Sequence, residues 1–107
     1  VFEELKMRHF TMIRWHFNDG WSRYHNLDDN AGLGFSSAGE AWSIVTSSII
    51  ERERKRGCGK SISKRKFDSF EIAVFSVDPK HFKLSYSPRC NVALRKGEPV
   101  KSRIYSV

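Results

Sequence analysis

Residues 1–107 read as one α+β domain, a mostly antiparallel sheet in the order ββαββββ packed against one long helix over about residues 38–56. Three features of the chain point there. Near the N-terminus, β-branched and aromatic residues crowd a run that ends in Asn18-Asp19-Gly20, a hairpin signature. A capped stretch with apolar residues at three-to-four spacing follows. The second half returns to short alternating runs separated by Gly and Pro.

The first strand is expected over Arg8 to Phe17 and its return over Trp21 to Asn26. A two-residue turn at Asp19-Gly20 sets Phe17 opposite Ser22 and Trp15 opposite Tyr24, so Ile13, Trp15, Phe17 and Tyr24 share one face. The other face then holds Arg14, His16, Arg23 and His25, with Met12 and Trp21 among them. Residues 27–35, with paired aspartates and two glycines, read as loop. Ser37-Ala38-Gly39-Glu40 has the pattern of a capping box, and Ala38, Ala41, Trp42, Val45 and Ile49 follow one helical face as far as a glycine stop at Gly57. The centre of that helix, residues 44–50, is rich in Ile, Val, Thr and Ser, so packing has to hold it and a strand is the competing assignment. Residues 58–66 read as a basic loop. Phe67 to Val77 alternates apolar residues on both sides, which marks a central strand. Shorter strands are expected at 81–86, 91–94 and 100–107.

A chain of this length supports one core, and eight Phe, three Trp and three Tyr are enough to fill it without a metal or a disulfide. No apolar run is long enough to cross a bilayer. No charged-then-apolar leader is visible, Met7 being a candidate start. An intracellular, cytoplasmic protein with free thiols at Cys58 and Cys90 is expected. No cofactor or metal site is expected either, because the spacing of His9, His16, His25 and the cysteines fits no ligand pattern.

Charge is the most informative part of the composition. Of a net +7, an excess of six positive charges falls within residues 51–66, where Arg52, Arg54, Lys55, Arg56, Lys60, Lys64, Arg65 and Lys66 outnumber Glu51 and Glu53. A concentrated cluster produces a local field that favours phosphate-bearing partners. The same cations also complement a helix C-terminus, and Glu51 with Lys55 makes a helical ion pair. In a nucleated cell the run could serve nuclear import. Arg14, Arg23 and Trp21 on the first hairpin form a second candidate, with cations for phosphates and a ring for a base. His16 and His25 on the same hairpin would suit acid–base cleavage of RNA.

Together these features lead to the expectation of a non-enzymatic module binding nucleic acid, RNA or single strands in preference to a sequence-specific duplex, because the helix lacks a base-reading polar face. An interaction module or inhibitor docking on an acidic protein surface is the alternative, and a small metal-independent ribonuclease the third. A final strand left as a sheet edge would permit a dimer.

Overall fold

The structure, a computed structural model, describes residues 7–27, 34–59, 66–78 and 98–107. The expected strands at 81–86 and 91–94, most of the basic loop, and Cys90 lie outside these residues. Among these residues five strands and two helices follow in the order β1 (Arg8–Phe17), β2 (Gly20–Trp21), β3 (His25–Asn26), α1 (Ala38–Ser43), α2 (Ser47–Gly57), β4 (Ser69–Val77) and β5 (Lys101–Ser106). The sheet is antiparallel, with strand order β2-β1-β4-β5 and β3 beside β2 on the same edge of β1. This is an α+β architecture, as the alternation of patterns implied.

β1 and β4 form the centre, paired along their whole length from Arg8 opposite Val77 to His16 opposite Ser69. Because side chains alternate, this register sorts the sheet into two sides. The helix side carries Thr11, Ile13, Trp15 and Phe17 of β1 and Phe70, Ile72 and Val74 of β4, packed with Ile49, Phe67 and Leu27 and flanked by Trp42 and Tyr105. The far side carries a second cluster of Phe10, Met12, Ala73, Phe75 and Val77, joined by Tyr24. β4 is thus buried on both sides, which its unbroken run of apolar residues required. Each fully buried Phe in these clusters contributes about 1.5–3 kcal/mol.

Two local expectations are corrected. The hairpin turn is Asn18-Asp19, with Gly20 already paired to Phe17 at a φ of 112° that favours glycine. Ser22 bonds Trp15, while His25 pairs Ile13, so three steps on the returning chain match two on β1. The extra residue is a bulge. It moves Tyr24 to the far side, where its ring meets Phe75, and moves His25 to the helix side against Trp15.

The single long helix is two. α1 opens as expected, with the Ser37 hydroxyl accepting from the Glu40 amide, and the buried Thr11 hydroxyl donates to the Ala41 carbonyl. α1 ends at Ser43 with Ile44 as its C-cap, and Thr46, extended, caps a new helix by accepting from the Ile49 amide. The β-branched pair Val45-Thr46 disfavours continuation, and a threonine hydroxyl is a good N-cap. α2 keeps Gly57 helical and buried; the left-handed residue that ends it is Gly59, at φ 75°. No helix among the described residues is long and apolar enough to cross a membrane.

Candidate nucleic-acid interface

α2 lies on the helix side with Ile49, Glu53 and Gly57 turned inward. That stripe splits the basic cluster into two flanks. Arg52 and Arg56 fall on the flank towards β1, where the Arg56 guanidinium sits 5.1 Å from the centre of the Trp15 ring. Arg54 falls on the opposite flank and its Nε donates to the Ser106 carbonyl of β5 at 3.1 Å. Lys55 points away from the sheet between them, exposed.

Glu53 dominates the first flank. Its side chain is 1% exposed, and its carboxylate accepts from Trp15 Nε1 at 2.8 Å, from Arg56 Nη1 at 3.1 and 3.2 Å, and from Arg52 Nε at 3.4 Å. A carboxylate withdrawn from water at such cost has to be paired and hydrogen-bonded, and here it is. Two of the expected phosphate-binding arginines are therefore engaged with Glu53, which ties α2 to β1 through Trp15. The helical ion pairs run to Glu53, not between Glu51 and Lys55 as the spacing implied.

The hairpin candidates stand on the far side. Arg14 donates from Nε to Glu71 at 2.8 Å and lies between two rings, 4.5 Å from Trp21 and 4.7 Å from Tyr24. Glu71 also accepts from the Tyr24 hydroxyl. Burial, and then that hydrogen bond, push the Tyr24 phenol above the usual tyrosine range. So Arg14 and Trp21 do come together, as part of a structural clamp on a buried acid. Arg23 is exposed on the bulge.

His16 also belongs to this side. Its Nδ1 is 2.9 Å from Asp68, whose carboxyl is held below the usual carboxylate range first by His16 and then by Ser69, and its ring meets Trp21 edge-on. His25 packs at a tilt against Trp15 on the helix side. The bulge has put the two imidazoles on opposite sides of the sheet, so they cannot act on one phosphate. Among the described residues no group of His, Cys, Asp or Glu is placed to hold a metal, and Cys58 is an exposed free thiol.

Two cations that the charge run did not reveal complete the picture. Lys101 and Arg103 of β5 face the helix side, opposite Val74 and Ile72, and both are exposed. Lys101 Nζ lies 4.7 Å from the Trp42 ring and the Arg103 guanidinium 5.2 Å from Tyr105, which is stacked on Phe70. Their alternation with Tyr105 along one strand was the available signal, but it becomes meaningful only once β5 is seen beside α2. Among the described residues, Arg54, Lys55, Lys101 and Arg103 have no carboxylate within ion-pair distance, Glu53, Asp68 and Glu71 being engaged by other residues. Lys66 is exposed beside Gly59, and Lys60, Lys64 and Arg65 lie outside the described residues. No family model matches the chain, and neither curated proteins nor solved structures give a match.

Proposed function

We propose that this protein is a non-enzymatic nucleic-acid-binding module that takes RNA or another single strand on the helix side of its sheet. One observation carries the reading. Arg54 and Lys55 of α2 and Lys101 and Arg103 of β5 stand on the same side of the sheet, outside every ion pair of the described residues, whereas Arg14, Arg52 and Arg56 are committed to buried acids. Unpaired cations retain the counterion-releasing contacts that drive binding to a polyanion. Trp42 and Tyr105 lie under two of them, a mixture of rings and cations suited to a flexible strand. A cytoplasmic or nuclear location suits such a partner.

The test is fluorescence anisotropy with a labelled single-stranded RNA and its duplex across a salt series. Four phosphate contacts should give a slope of log affinity against log salt of about −3 for the single strand. Replacing Lys55, Lys101 and Arg103 with Gln together should weaken binding regardless of sequence and flatten the slope by about 2. A response to salt that is flat in the unaltered protein refutes the reading.

A further inference from the structure

Among the described residues β5 ends the sheet, and the hydrogen-bond phase of the ladder shows which of its backbone groups look outward. On β1, His9 exchanges hydrogen bonds with Phe35, Thr11 accepts from Leu27 and Trp15 accepts from Ser22, so the odd-numbered residues of β1 face away from β4. In an antiparallel sheet successive residues of a strand turn their N–H and C=O to opposite neighbours. The even residues of β1 therefore bond the odd residues of β4, and the even residues of β4, Phe70, Ile72 and Val74, bond Tyr105, Arg103 and Lys101. The Val107 amide donating to the Asp68 carbonyl at 3.0 Å has the same phase. Ser102, Ile104 and Ser106 are left pointing their amides and carbonyls away from the sheet. Arg54 reaching the Ser106 carbonyl is the visible consequence, an arginine of α2 capping one outward acceptor.

An edge of this kind is a template for another strand, and proteins often blunt such edges with charge. Here the charge is of one sign and on one side only. Among the described residues β5 pairs with β4 alone, with Lys101 and Arg103 on the helix side and Ile104, 59% exposed, on the far side. We propose that β5 accepts an extended acidic segment of a partner protein as an additional strand, with carboxylates at alternate positions facing Lys101 and Arg103 and an apolar residue beside Ile104. The outward phase makes Lys101 and Arg103 the non-hydrogen-bonded pairs of the new ladder, in which facing side chains come closest. Ion pairs there are favoured, while main-chain bonds at Ser102 and Ile104 provide the affinity. A second copy of this chain is disfavoured as occupant, because it would bring the Lys101 and Arg103 of two edges together. This inference shares Lys101 and Arg103 with the nucleic-acid reading, but it rests besides on outward backbone groups that a polyanion does not need, so protection of the β5 amides distinguishes the two.

The experiment uses a short blocked peptide of alternating glutamate and valine, with a scrambled peptide of the same composition and one N-methylated at alternate residues as controls. Amide hydrogen exchange followed by NMR should slow at Ser102 and Ile104 by about tenfold or more on saturation with the alternating peptide, with no such change for either control. Ile104→Pro removes one outward N–H without breaking a bond to β4 and should abolish the protection at Ser102 while leaving RNA affinity unchanged. Equal binding of the scrambled peptide, binding without protection of these two amides, or protection that grows with protein concentration in the absence of peptide would each overturn the proposal. If Ile104→Pro does not fold, the N-methylated peptide decides: undiminished binding refutes strand addition.

Discussion

Glu53 is the residue on which the helix layer turns. Position 53 continues the four-residue stripe of Val45 and Ile49 and should by that spacing be apolar; the chain puts a carboxylate there and buries it. Replacing it with Ala leaves Trp15 Nε1 and two guanidinium groups without their acceptor. Because Arg52 and Arg56 still reach water, the expected loss is about 2–4 kcal/mol, below the upper limit for a fully buried pair. Glu53→Gln keeps an acceptor for Trp15 and should lose less; urea unfolding of both variants measures the difference. Tyr24 gives a second expectation. Its phenol ionises above the ordinary value of 10.0, so the folded state holds this proton more tightly than the unfolded state. The resulting stabilisation is complete below that value and is lost as pH rises past it. Ultraviolet titration should show one tyrosine ionising late, and urea midpoints should fall only on the alkaline side.

Among the elements, the break between α1 and α2 shows how a local preference prevails. The period of apolar residues runs through positions 38 to 49 and implies one helix, but period records only which residues face the core. Two short helices can keep the same residues inward, and Thr46 then satisfies amides that a β-branched stretch leaves poorly placed. Thr46→Ala should cost about 1 kcal/mol, seen as a lower midpoint with an unchanged slope in denaturant. At the other end of α2, a Cβ on Gly57 would fall 2.5 Å from a Val107 methyl carbon and 2.8 Å from the Phe67 ring. Gly57→Ala should therefore destabilise by about 1–3 kcal/mol through overpacking, whereas helix propensity alone would have made it stabilising. A rise in melting temperature would contradict this packing. Glycine at this position is needed for close approach, and the turn-forming role expected of it belongs to Gly59.

Across the molecule, the cations of the hairpin stand apart from those of α2 and β5. Arg14 is clamped on the far side and Arg23 is exposed on the bulge, while Arg54, Lys55, Lys101 and Arg103 are on the helix side. Binding on the helix side predicts that Arg23→Gln leaves RNA affinity within about twofold, whereas Lys55→Gln and Lys101→Gln each weaken it and reduce the salt slope by about 0.7. Equal effects from Arg23 and Lys55 in anisotropy titrations would mean a diffuse field without a defined side.

The strand Arg8–Phe17, the central strand read over Phe67 to Val77 and found at Ser69–Val77, the capped start of α1 and the concentration of charge near α2 were legible in the linear chain, because alternation, capping and charge are properties of neighbours a few residues apart. The pairing of Glu53 with Trp15, the sandwich around Arg14, the separation of His16 from His25 and the recruitment of Lys101 and Arg103 were not. Each depends on a one-residue choice, a bulge or a register, that reverses which side of a sheet a side chain occupies. Such a choice is set by the packing of distant segments, so nearby residues define the elements while the assembled sheet determines which charges remain available to a partner.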